Sequence, residues 1–419
     1  MLVVTANWAI PDGSVAAPPR AASITRLLDE IRLAAVRAGV RHDGRYRPIE
    51  RLAVVLAGDT LDGHVSGMWA GDVRPWQRSR RAAMRHEAVL RGAARLGRRP
   101  IAALFRLARR GIAVPPADGR GRPMLQSRVV VPVHLAVLVG DRDAALEWLG
   151  GRGASPRRDV RFGSVWNGDG VTVAHGSACD PLTAGDDRPT LHESLAVDLL
   201  ARFGTLLAER PGAAGAARRI VRCLADGHPL EMAARLGAVL RSLEQDGVDA
   251  AWIAASWRRC VDGWERLARR TGCGNGHGEL AAIAVWMHAI GTETVVGPAA
   301  RAVVATLSSP LPAAAGGAHG DRLTVFGHGA CTATNAEGRV VCLGSPRGAV
   351  SGAPWLDGSR APRVACIEAA PVVGPEHLPA VVVPEADELG AFGMTWRRIG
   401  DRDAPANERP AASFILDAA

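Results

Sequence analysis

The chain has 419 residues, 47% of them apolar and 22% charged, which is ordinary for a globular protein and long enough for two or three domains. All 51 of its basic residues are Arg, against 42 acidic ones, and the net charge of +9 favours anionic partners such as phosphate compounds, nucleic acid or acidic surfaces. No apolar run reaches the roughly 18 residues of a membrane span and no basic-then-apolar leader is evident; seven scattered cysteines, an odd number, suit a reducing compartment rather than a disulfide framework, so a cytoplasmic location is expected.

Met1 to Ala6 reads as a first strand. From Ala22 to Gly39 the residues Ile24, Leu27, Leu28, Ile31, Leu33 and Val36 recur with helical spacing. Leu52 to Leu56 is an unbroken apolar run, the pattern of a strand buried on both faces. Strand, helix and strand in that order predict a βαβ unit and an α/β layered fold. The second strand ends at Gly58-Asp59, with Asp62 three residues on in the same loop. Sites in such sheets gather above the C-terminal strand ends. Two carboxylates there either meet a cation or hydrogen-bond donors, or form an ordinary Asx-turn.

From about Pro75 to Arg110 the chain is helical and Arg-rich, which is either a solvated helical face or an anion-attracting surface; no zinc-finger or RNA-binding signature accompanies it. Val133 to Val139 is strand-like and ends in Gly140-Asp141-Arg142-Asp143. Alternation around 158–174, with a turn at Trp166 to Gly170, predicts a hairpin feeding the strand Val171 to Ala174, which ends in His175-Gly176. Residues 191–307 carry helical periodicity, and Trp252, Trp257, Trp264 and Trp286 are spaced for packing on helix faces. That segment is far longer than a strand connection requires, so it should form its own helical layer or cap. Leu323 to Phe326 is a further strand, ending in Gly327-His328-Gly329. Beyond about 350 the chain is rich in Pro and Gly, with strands expected at 363–367 and 380–383 and an irregular end from 391 to 419. Cys260, Cys273 and His277 lack the four-ligand spacing of a zinc site. No P-loop, dinucleotide fingerprint or GxSxG elbow occurs.

Four strands that each deliver Asp or His beside Gly form the layout of a metal site, with oxygen and imidazole ligands drawn from distant sequence. Their order resembles the calcineurin-like metallophosphoesterase family, whose motifs run D-x-H, GD-x-x-D, GNH-D/E, a strand-end His and GH-x-H. GDTLDG at 58–63 matches the second motif, GDRD at 140–143 resembles the third, HG at 175–176 the fourth and GHGA at 327–330 half of the fifth. VCLGSP at 341–346 looks like the strand and turn that follow. The resemblance spans roughly 1–190 and 320–350. It implies an α/β fold, a metallophosphoesterase-like β-sandwich flanked by helices, with core segments 1–190 and 308–390 and a large helical insertion or cap at 191–307.

The resemblance also implies a ligand set. Asp59 matches the aspartate that bridges two metals in the family. Asp141, His175 and His328 fall at the places that complete one of the two sites. One divalent ion (Mn, Fe, Zn or Mg) is therefore expected on Asp59, Asp141, His175 and His328, with Asp62 and Asp143 supporting them. The other site is depleted: Ala6 and Trp8 stand where D-x-H should be, Ala330 replaces a His, and Asp12 is out of register. Arg142 replaces the family's catalytic His; as a fixed cation it cannot donate a proton near neutral pH, but it can clamp a phosphate or pair with Asp62, Asp141 or Asp143. The function implied is a divergent phosphoesterase that hydrolyses a phosphate ester with a metal-activated water at a one-metal site, Arg142 holding the phosphate. The alternatives are a catalytically silent scaffold for an anion or a protein, and an Arg-mediated nucleic-acid binder. A phosphate-bearing small molecule or other anion is the expected partner, and no membrane is.

Overall fold

The apolar run at 52–56 is an interior strand of a seven-stranded sheet in the computed structural model of the chain. The structure describes residues 1–143 except 7, 19–20 and 42; 160–183 except 169; 189–273 except 226–227 and 246–248; 277–290; 296–307; 323–328; and five short strands beyond. In chain order the strands are β1 (Leu2–Ala6), β2 (Leu52–Ala57), β3 (Ile112–Val114), β4 (Val129–Val131), β5 (Val133–Leu138), β6 (Val160–Gly163), β7 (Val165–Gly168), β8 (Val171–Ala174), β9 (Leu323–Phe326), β10 (Ala333–Thr334), β11 (Val340–Cys342), β12 (Arg363–Glu368), β13 (Ala380–Glu385) and β14 (Thr395–Arg398).

The fold is mixed α/β, with parallel and antiparallel pairing in both principal sheets. The larger has the order β14-β13-β12-β1-β2-β5-β6 and the smaller β10-β11-β9-β8-β7. β1, β2, β5 and β6 run parallel, as do β8, β9 and β11. Alternation along each strand then sorts the side chains. Val3, Leu52, Val54, Leu56, Leu135 and Val137 face the helices Ala21–Arg37 and Arg98–Arg110 through Leu27, Ile31 and Leu104. Val4, Val55, Ala57, Ala136 and Leu138 face Val171, Val173, Leu323 and Val325 of the smaller sheet. Burial on both faces is why these strands read as continuous apolar runs rather than alternating ones.

Two expectations are corrected. The hairpin is β7–β8 alone, paired from Val165 opposite Ala174 to Gly168 opposite Val171; β6 instead pairs parallel with β5 in the other sheet. Alternating residues mark a strand but not its sheet, and the chain changes sheets at Ser164. The end of the chain is not irregular throughout either, because β14 pairs antiparallel with β13. A four-residue edge strand is too short to carry a readable period, and its place is decided by the neighbour that offers backbone hydrogen bonds.

The described residues between 191 and 307 are mostly helical and include the helices Ala214–Ala225, Met232–Gln245, Ala250–Thr271, His277–His288 and Pro298–Leu307, which form a layer. Its tryptophans pack as helix-face residues. Trp257 and Trp264 are fully buried, and their Nε1–H groups donate to Met287 O at 2.7 Å and Ser194 Oγ at 3.0 Å. The layer shares its apolar core with Val15, Val65 and Leu182, so it packs on the loops that leave the strands. Arg222 donates to the carbonyls of Ala9 and Trp8 at 2.8 and 3.3 Å from the same direction.

The Arg-rich segment folds as the helices Arg80–Leu96 and Arg98–Arg110, joined at Gly97. Val89, Leu90, Ala93, Leu104 and Ala108 are buried, while Arg80, Arg81, Arg91, Arg95, Arg98, Arg99, Arg106, Arg109 and Arg110 are exposed. Among the described residues no helix is long and apolar enough to cross a membrane.

Candidate metal centre

β2 ends in a backbone turn that only its own residues allow. Gly58 lies at φ +88° and Asp59 at +49°, both in the left-handed region. A Cβ on Gly58 would overlap the His175 ring, and one on Gly140 would overlap the Asp59 carboxylate and backbone nitrogen. The glycines beside Asp59 and Asp141 are thus where two strand ends close on each other. Asp143 holds that contact: its Oδ2 accepts from Thr60 N at 2.7 Å and Leu61 N at 3.3 Å, and its Oδ1 from Gly140 N at 2.7 Å. Burial and the neighbouring Asp59 push its pKa up to about 7, against the pull of those N–H donors.

The four ligands expected from the sequence come together. One donor atom from each of Asp59, Asp141, His175 and His328 lies within 4.8 Å of the others, and the group could hold a metal ion. Nδ1–H of His175 donates to Ala57 O at 2.9 Å, which aims Nε2 at Asp141 Oδ1 (2.8 Å) and Asp59 Oδ2 (3.5 Å). Burial disfavours the imidazolium, but Asp59 and Asp141 outweigh it and raise the pKa to about 10. Burial likewise opposes ionisation of Asp141, yet its histidine neighbours, His192 foremost, hold its pKa well below the usual carboxylate range. His328 turns Nδ1 to Asp141 Oδ1 at 3.8 Å while Nε2 meets Asp180 Oδ2 at 2.6 Å. A histidine held by a carboxylate on its far nitrogen is the usual support for a metal ligand.

The donor set fits a cation. Two imidazole nitrogens and two carboxylate oxygens suit Zn, Mn or Fe. Atoms about 2.2 Å from one ion cannot lie more than about 4.4 Å apart, so closure by a few tenths of an ångström would complete the set. The depleted side is equally plain. Ala6 and Trp8 are buried, and the Trp8 indole donates to Thr5 Oγ1 at 3.0 Å inside the core. Asp12 is occupied with Ser14 (2.9 and 2.6 Å) and Ser66 (2.5 Å) and stays out of the cluster. Ala330 lies outside the described residues.

Arg142 is buried and faces Asp62 Oδ2 at 3.4 Å and Asp59 Oδ2 at 3.7 Å. Of the two readings of this residue, the ion pair with Asp62 is present. Asp62 also accepts from His64 N and Val65 N, both at 2.9 Å, so the Asx-turn and the ion pair coexist in one side chain.

Three residues escaped the sequence reading. Asp180 lies beyond His328, and its pKa is held far below the usual range by His228 and His328 in spite of burial. His228 approaches the same oxygen at 3.7 Å. His192 bridges Asp141 and Arg142. The only local signal was Thr190-Leu-His-Glu193, a capping box in which Thr190 Oγ1 accepts from Glu193 N and Glu193 Oε2 from Thr190 N. It announces where a helix begins but not what that helix covers. Cys260 and Cys273 are buried, and burial pushes both thiols up to about 11, which makes them unreactive. No family model, curated protein or solved structure matches the chain.

Proposed function

We propose that this chain is a divergent member of the calcineurin-like metallophosphoesterases that hydrolyses a phosphate ester with one divalent metal ion. The observation that carries the reading is the convergence of Asp59, Asp141, His175 and His328 from four separate strand ends into one cluster, Asp59 and His175 buried and Asp141 and His328 half-buried. When bound, such an ion makes water more acidic and polarises a phosphoryl oxygen. The residues of the chain supply the rest. Asp59, Asp141, His175 and His328 would hold the ion, and Asp180 and Ala57 orient the two imidazoles. Arg142 contributes a permanent positive charge beside Asp59, which would attract an incoming phosphate oxygen. It cannot protonate a leaving group, so esters with good leaving groups are the preferred substrates.

The test is hydrolysis of nitrophenyl phosphate mono- and diesters with added Mn²⁺, comparing the natural chain with His175→Ala. Equal rates would refute the enzymatic reading. A second reading then leads, and Arg142 favours it: held against Asp59 and Asp62, its guanidinium already neutralises part of the site. A catalytically silent scaffold that binds phosphate-bearing molecules needs no more than that.

A further inference from the structure

The helical layer reaches the metal cluster through one fully enclosed imidazole. His192 is 1% exposed and sits in the first turn of the helix Leu191–Ser194, where its backbone N–H donates to Leu182 O at 3.0 Å. Its ring is therefore fixed from both the helix and the loop below. Nδ1 lies 2.7 Å from Asp141 Oδ2, and Nε2 lies 2.9 Å from a terminal nitrogen of Arg142.

The polarity of both bonds follows from the partners. A guanidinium only donates, so Nε2 accepts; an ionised carboxylate only accepts, so Nδ1 carries the hydrogen. Each bond has a consequence. Asp141 has two oxygens, and with Oδ2 taken by His192 only Oδ1 is turned to His175 and His328. Arg142 is planar, and with one terminal nitrogen on His192 and the other near Asp62 the orientation of its fork is set.

We infer that His192 is a positioning residue that presents Asp141 to the metal ion through a single oxygen and holds Arg142 in register with it. The inference rests on the metal-site reading above and assigns the helical layer a role in that site. Because one imidazole serves both groups, ion binding and anion binding are coupled through it.

Calorimetric titration of the chelator-treated full chain with Mn²⁺, then with inorganic phosphate, tests this in the natural protein and in the variants His192→Ala and His192→Asn. Ala removes both bonds and is expected to weaken Mn²⁺ binding about 10–100-fold, the usual effect of losing a partner of a metal ligand. Asn places an amide N–H near the position of Nδ1, so Mn²⁺ affinity should return to within a few-fold of the natural value while phosphate binding stays weakened. A purely structural role would show instead as equal losses in both variants, tracking their melting temperatures. Unchanged Mn²⁺ affinity in Ala, or no recovery in a folded Asn variant, overturns the inference while leaving the metal site standing. Failure of the natural chain itself to bind Mn²⁺ overturns the metal-site reading and this inference with it.

Discussion

Nδ1 of His175 lies 2.9 Å from the carbonyl oxygen of Ala57, and this bond joins the residue that follows β8 to the last residue of β2, one from each sheet. It fixes the tautomer, because a nitrogen that donates to a carbonyl leaves the other for a cation. It also requires the strand ends to approach so closely that no side chain fits at Gly58.

Gly58→Ala should therefore weaken metal binding. Gly44 offers the control, since it has φ +74° and nothing within 4 Å of an added Cβ. Alanine at either position pays a left-handed strain of about 1–2 kcal/mol. Only the change at Gly58 displaces His175. Calorimetry with Mn²⁺ should find the Gly44 variant unaffected and the Gly58 variant weakened by more than about tenfold. Equal affinities would mean that the approach of His175 to Gly58 does not matter.

Elemental analysis of protein purified without chelators should find at most one divalent ion per chain. His175→Ala and His328→Ala should each remove it, and Asp180→Asn should weaken it about tenfold by freeing His328. Two tightly held ions would contradict the argument from Ala6 and Trp8, both buried and without a suitable donor.

Arg142→Ala removes the cation that faces Asp59 and Asp62. Breaking a buried ion pair from one side typically costs about 3–5 kcal/mol, because the remaining charges stay buried. The loss should be read from urea unfolding of the metal-free protein. Added Mn²⁺ should recover part of it, since the ion offsets the Asp59 carboxylate and stabilises by binding the folded state. A loss below about 1 kcal/mol would show that Asp59 and Asp62 do not depend on this guanidinium.

His86 makes the stability sensitive to acid. Burial first, then the neighbouring His64, hold its pKa down to about 4 from 6.5, against a smaller opposing pull from Glu193. Above 6.5 it is neutral in both folded and unfolded chains. As the pH falls from 6.5 towards 4, the unfolded chain takes up a proton that the folded chain refuses, so stability declines across that window. His86→Leu should flatten the decline by up to about one proton in the slope of stability against pH. Parallel slopes for the two proteins would show that His86 is not the group responsible.

How much of this was legible beforehand differs by residue. The strands β2 and β5 could be read directly, because burial on two faces forces a run of apolar residues, and β8 and β9 from their β-branched residues; each stops at a Gly next to an Asp or His. That punctuation is local chemistry: a strand end that carries a ligand must turn sharply, and its neighbour must come close. Together with the motif order of the family the chain resembles, that punctuation named the four candidate ligands. His192, His228 and Asp180 could not be named. They lie on helix starts and a loop whose local sequence is explained by capping and turn formation alone, and nothing in it depends on what stands across the rim. Arg142 was half legible: its pairing with Asp62 was one of several open choices, while its contacts with Asp59 and His192 were not foreseen. Sequence alone determined which residues could bind an ion, since donor type and strand-end position are properties of each segment. Only the tertiary structure decided which side chains orient them, because a contact between segments about 50 or more residues apart exists only once the helical layer has packed onto the rim.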